Sequence, residues 1–186
     1  MKPIMALCAI AWLVAAPTAA SAQTAADRFF EQLAGLCGQS FTGQVVTGDP
    51  IDDSFRKAEL VMTVAACDAR EIRIPFRVGE DRSRTWVITR VGEGRLRLKH
   101  DHRHADGVED ELSRYGGGTV EVGSATLQSF PVDAESRALF TRLDRAVSNT
   151  NVWSLGLGAE AFTYQLARPG RLFRVSFDLT RPRPAP

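Results

Sequence analysis

Glu71-Ile-Arg-Ile-Pro-Phe-Arg-Val78, Thr85-Trp-Val-Ile-Thr-Arg-Val91 and Arg95-Leu-Arg-Leu-Lys-His-Asp-His-Arg-His104 follow one another with only short turns between them. In the first, Ile72, Ile74, Phe76 and Val78 alternate with Arg73, Pro75 and Arg77. A period of two is the signature of a half-buried strand, because successive side chains leave opposite faces of a sheet. Pro75 lacks an amide donor at an outward position, which predicts a bulge or an edge there. Gly92-Glu-Gly94 turns the second run into the third, and Ala105-Asp106-Gly107 turns the third back into Val108 to Tyr115.

Strand patterns continue in both directions. Phe41-Thr-Gly-Gln-Val-Val46 and Leu60-Val-Met-Thr-Val-Ala-Ala66 precede this core, the second leading into it through the turn Cys67-Asp-Ala-Arg70. Ser124 to Phe130, Val152-Trp-Ser-Leu-Gly-Leu157, Phe162-Thr-Tyr-Gln-Leu166 and Leu172 to Leu179 follow it. Gly116-Gly-Gly118 reads as an irregular loop. Two helices are predicted. The first, Ala25 to Cys37, places Ala26, Phe29, Phe30, Leu33, Leu36 and Cys37 at helical spacing, with Thr24 as cap and Gly38 as stop. The second is capped by Asp133 and turns Ala134, Ala138, Leu139 and Leu143 inward. The fold class is therefore all-β with two short helices. About nine or ten antiparallel strands joined by tight turns close most easily into an up-and-down barrel, which removes exposed sheet edges. A two-sheet sandwich is the alternative.

The first residues point to export. Met1-Lys2 precedes the apolar run Ile4 to Ala16, Pro17 breaks it, and Ala20-Ser21-Ala22 supplies a small-x-small cleavage pattern. Residues 1–22 are expected to be a cleaved signal peptide, because the run is too short for a permanent span. An uncleaved anchor is the rival. Residues 23–180 then form one barrel domain, and 181–186 a Pro-rich disordered tail. A secreted or periplasmic address follows, with no integral membrane segment after cleavage. Of the three cysteines, loss of Cys8 leaves Cys37 and Cys67, an even pair suited to an oxidising compartment. Their disulfide would contribute roughly 3 kcal/mol; two buried thiols are the alternative. The formal charge is +1, and without Lys2 the chain is neutral, so nothing argues for nucleic acid as a partner.

All three histidines lie at alternate positions, His100, His102 and His104, so they share one strand face, preceded on it by Leu96 and Leu98. With a three-residue loop and Gly107 left-handed, His104 pairs with Val108, His102 with Asp110 and His100 with Leu112. On the other face Arg103 meets Glu109 and Asp101 meets Glu111. A two-residue turn would instead bring Glu109 and Glu111 beside the histidines, because a one-residue slip exchanges the faces. His100, His102, Asp110, Leu98 and Leu112 are the candidate ligand-binding residues. Histidines about 6.6 Å apart along a strand can share an ion, so His100, His102 and Asp110 are also a candidate metal site; no other cofactor is expected. A solvated hairpin tip is the plainer reading, with His104 at the turn edge.

Other motifs carry less. Trp86 and Trp153 read as core. Gly116 to Gly118 lacks the Lys-Ser/Thr of a phosphate loop, no G-x-S-x-G frames a nucleophilic serine, and no catalytic residue is assigned.

The stretches Phe41 to Val46, Glu71 to Phe76, Asp81-Arg-Ser-Arg-Thr-Trp86, Leu98 to His104 and Arg171-Leu-Phe-Arg-Val-Ser-Phe-Asp-Leu179 resemble a group of secreted bacterial proteins of uncharacterised activity. At the level of fold the meander with its leading helix resembles the calycin class of barrels, such as lipocalins and nitrobindins. Barrels of this size enclose either packed side chains or one ligand. Phe41-Thr-Gly43 stands where a lipocalin opens with Gly-x-Trp, and no isolated late histidine follows the last turn. The expected function is binding of a small, largely apolar molecule, without catalysis. The alternatives are a filled barrel serving as a structural or envelope interaction module, and a metal-binding protein or metal-dependent enzyme at the histidine hairpin.

Overall fold

The structure, a computed structural model, describes residues 23–92 and 94–185; the expected signal segment with Cys8 lies outside them. Among the described residues, three short helices, α1 (Ala25–Ala34), α2 (Asp53–Lys57) and α3 (Ala134–Arg142), accompany twelve strands. The first six strands are β1 (Gln39–Val45), β2 (Leu60–Val64), β3 (Ala66–Cys67), β4 (Glu71–Val78), β5 (Asp81–Arg90) and β6 (Leu96–His102). The rest are β7 (Tyr115–Gly118), β8 (Leu127–Pro131), β9 (Val152–Leu157), β10 (Ala161–Arg168), β11 (Arg171–Asp178) and β12 (Arg183–Pro184).

Ten strands run β8-β9-β10-β11-β1-β2-β4-β5-β6-β7, each antiparallel to its neighbour. This is the up-and-down order the turns predict, and it forms a nearly closed barrel. β3 continues β2 along β4 after a one-residue slip between the Met62–Phe76 and Ala66–Arg73 pairs. Pro75 sits in that gap, where no donor is needed, as a strand proline requires.

The seam lies between β7 and β8. Asp133 N–H donates to Gly116 O at 3.0 Å, and Gly116 N–H donates to Ser136 Oγ at 2.8 Å. The glycine run expected to be an irregular loop is thus a strand, and its composition is explained by crowding. A Cβ on Gly116 would lie 1.9 Å from Leu98 O, and one on Gly117 1.8 Å from Pro131 O. Only residues without side chains let the closing backbones approach.

α1 plugs one end of the barrel. Thr24 and Asp27 form a capping box, and Ala26, Phe29, Phe30 and Leu33 are buried in the same core as the strands. The helix stops at Ala34, and Leu36 and Cys37 follow in a tighter turn before Gly38, at φ +79°. The Cys37–Cys67 disulfide pins that turn to β3, and Arg90 at the end of β5 reaches Asp27 at 2.8 Å while lying over the Phe30 ring. The core then fills the barrel upward through Ile88, Leu98, Phe130, Phe162 and Phe177.

Three further expectations are corrected. α3 turns Ser136 and Phe140 inward, while Ala134 and Ala138 are exposed, because the Ser136 hydroxyl is drawn to the seam. The tail is not wholly free: β12 pairs with Gln39 and Ser40 of β1, occupying the strand edge that β11 leaves open. The interval between β1 and β2, to which the sequence pattern assigns no element, holds a 3-10 turn (Pro50–Asp52) and α2. No helix among the described residues is long and apolar enough to cross a membrane.

Candidate functional site

The end opposite α1 is the mouth. There β5 and β6 pair Trp86 with His100 and Arg84 with His102. The hairpin tip follows the three-residue-loop register: His104 N–H donates to Val108 O, Asp110 N–H to His102 O, and Arg103 bridges Glu109. Gly107 has φ +85°, the left-handed conformation this loop needs. Beyond Asp110 the register does not continue. Glu111, Leu112 and Ser113 bulge out, so His100 faces Tyr115 rather than Leu112. The bulge is held by the His102 N–H, which donates to Ser113 Oγ at 2.9 Å. Asp101 does not meet Glu111 either: two carboxylates would repel, and Asp101 instead binds Arg73 and Arg103, while Glu111 lies beside Arg142.

The three histidines separate by depth. His100 is 3% exposed, His102 half-buried, and the His104 side chain 58% exposed beside Asp110 at 3.8 Å. His100 Nδ1 lies 3.2 Å from the carbonyl of Tyr115, which can only accept, so Nδ1 carries the proton. Nε2 then accepts from the Tyr164 hydroxyl at 2.9 Å. Burial pushes the His100 pKa down to about 3, so the ring is neutral at ordinary pH. His102 Nε2 lies 3.1 Å from the Tyr115 hydroxyl. Burial, with Arg84 second, lowers the His102 pKa against the opposing pull of Asp110, Asp81 and Asp101. Burial raises both tyrosines well above their usual range, so they stay protonated.

These side chains line a cavity of about 210 Å³ together with Phe76, Trp86, Leu166 and Phe173 from the wall. Trp86 is stacked between Phe76, with centroids 4.8 Å apart, and Tyr164, at 4.4 Å. The segment between β1 and β2 covers the opening. Phe55 of α2 packs edge-on against Phe173 at 5.2 Å, and buried Asp52 is paired with Arg171. Arg56 ties this lid together by donating to the carbonyls of Thr47 and Asp49. Arg84 and Arg171 are the cations of the lining, and Asp52 is its carboxylate.

Of the sequence candidates, His100 and His102 line the cavity. Leu98 lies fully buried below it, Leu112 packs at the edge of the core, and Asp110 turns to His104 and to the Leu112 N–H. The metal trio His100, His102 and Asp110 is not brought together. Among the described residues, no group of three or more His, Cys, Asp or Glu is placed to hold a metal ion. Sequence reasoning missed Arg84, Tyr115, Tyr164, Arg171 and the lid pair Asp52 and Phe55. The Gly92–Gly94 turn carried a signal for Arg84, since it sets that residue opposite His102 as surely as Gly107 sets Asp110 there. A larger groove of about 560 Å³ runs along the outer wall beside β1 and β11, with Thr42, Gln44, Ser176 and Asp178 in its lining but no aromatic floor.

Comparison with known proteins gives no match: none to a family model, none to a curated protein and none to a solved structure.

Proposed function

We propose that this chain is an exported barrel that binds one small molecule in the mouth cavity and releases it unchanged. The observation that carries this reading is the aromatic-walled space of about 210 Å³ at the barrel end opposite α1, beneath the α2 lid. Concave sites with apolar walls and a few convergent polar groups are where small ligands bind. The floor of Trp86, Phe76 and Phe173 suits an apolar body, and Arg84 and His102 suit a polar end. The Cys37–Cys67 bond supports an oxidising address outside the cytoplasm. In this reading the resemblance to secreted bacterial proteins and to calycin barrels reflects a shared plan of leading helix, meander and open mouth.

Native mass spectrometry of protein purified from the periplasm tests the proposal. The expected result is a carried small molecule, or a rise in Tm with fragments that fit the cavity, since a ligand at a hundred times its Kd adds about 2.7 kcal/mol. A bare mass and no fragment that raises Tm would overturn it. That outcome would favour the second reading, a filled barrel serving as an envelope interaction module, for which the argument is the core that fills the barrel from α1 to Trp86.

A further inference from the structure

Size restricts what the mouth can hold. A cavity of about 210 Å³ falls below the range of roughly 300–1,000 Å³ typical of drug-sized ligands. It exceeds the roughly 150 Å³ that suffices for benzene. One ring with a short substituent fits.

Charge and hydrogen bonding restrict it further. The lining holds two guanidinium groups and one carboxylate. Arg171 is committed to Asp52, Asp49 and the Leu172 carbonyl, so that pair cancels. Arg84 is different. Among the described residues its side chain donates only to Asp81, which lies outside the lining with its side chain 42% exposed. A guanidinium has five N–H donors, so Arg84 keeps donors free of any protein partner among the described residues, and its Cζ lies over the Phe55 ring of the lid, 5.9 Å from the ring centre. The other hydroxyl protons are spoken for, since Tyr164 donates to His100 and Tyr115 shares a proton with His102. Trp86, with both faces covered, offers the cavity its ring edge, the positive part of an aromatic quadrupole.

We infer that the cavity selects a single-ring organic carboxylate, with its ring among Phe55, Phe173 and the Trp86 edge and its anionic group on Arg84. This rests on the reading of the mouth as a ligand site. Guanidinium is the side chain whose paired donors match a carboxylate.

Benzoate and the neutral, similarly shaped benzamide are the probes, titrated into the full disulfide-bonded chain and followed by tryptophan fluorescence and calorimetry. Benzoate should bind at least about tenfold more tightly than benzamide, as a charge-assisted hydrogen bond in a part-buried site provides. Arg84→Gln should reduce benzoate to the benzamide level, and Arg84→Lys should keep part of the preference. Should Arg84→Gln fail to fold, the wild-type ratio and Arg84→Lys still decide. Equal affinities in the wild type, no benzoate binding, or undiminished benzoate binding by Arg84→Gln would overturn the inference. A neutral molecule carried through purification would overturn the anion assignment while leaving the ligand reading standing. A bare mass with neither probe bound would remove both.

Discussion

Asp52 and Arg171 form a two-pronged ion pair, with Arg171 Nη1 2.9 Å from Asp52 Oδ2 and Nη2 on Oδ1, across 119 residues of chain. Asp52 is 2% exposed and the Arg171 side chain 15%. The pair fastens the lid to the rim of β11. Breaking a buried pair leaves one charge without a partner, and this costs more than the pair itself contributes. Arg171 retains Asp49 at 3.3 Å, which softens the loss. Asp52→Ala should therefore cost about 2–3 kcal/mol, read by urea unfolding. Amide exchange should quicken first in residues 49–57. An unchanged midpoint would show that Phe55 and the Asp49–Arg171 contact hold the lid without Asp52.

His100 makes stability depend on pH. Its pKa is about 3 in the folded chain against roughly 6.5 when unfolded. Between those values the unfolded chain binds the proton and the folded chain does not, so stability falls as pH drops through that window. The loss approaches about 1.4 kcal/mol per pH unit, and His102, also lowered by burial, adds in the same direction. The protein should lose clearly less stability between pH 7 and pH 4.5 when His100 is replaced by Gln, with His102 left to supply part of the remaining loss. Urea melts of both chains at the two pH values measure this, and parallel losses would place the pH dependence elsewhere.

The seam glycines should differ sharply from their neighbour. A methyl at Gly117 meets the Pro131 carbonyl at 1.8 Å, whereas one at Gly118 finds its nearest atom, Leu96 O, at 3.6 Å. Gly117→Ala should cost about 3 kcal/mol or more, as an overpacked backbone contact does. Gly118→Ala should stay within about 1 kcal/mol. Equal Tm values for the two variants would mean that β7 and β8 do not close the barrel.

The disulfide constrains the plug. Cys37 and Cys67 are 30 residues apart, and a loop of that length contributes about 3 kcal/mol through the unfolded state. The double variant Cys37→Ala, Cys67→Ala should lose about that much, and protection of the α1 amides should fall more than that of β9 and β10. Equal protection losses throughout would show that the bond stabilises the unfolded-state balance without anchoring α1.

The strands and their order were legible because each signal is local. Alternation in Glu71 to Val78 and turn residues such as Gly107 act within a few residues. The tip register was legible for the same reason. It failed past Asp110 because the bulge at Glu111 to Ser113 is held by the Ser113 hydroxyl on the backbone of His102. That bond is specified by no periodicity. Gly116 to Gly118 was misread as a loop because glycine has no side chain to alternate, and the backbone carbonyls that crowd Gly116 and Gly117, those of Leu98 and Pro131, lie on other strands.

The sequence by itself determined the strands, the hairpin turn at Gly107, the capped leading helix and the cysteine pair, all consequences of short-range backbone preference and side-chain periodicity. Only the tertiary structure decided what the histidines do. Burial under Tyr115 and Tyr164 makes His100 a neutral structural hydrogen-bonding group, and closure brings Arg84 of β5 into one cavity with the lid residues Asp52 and Phe55. Those partners come from positions far apart in the chain. Closure of the barrel, and not any local pattern, sets their distances.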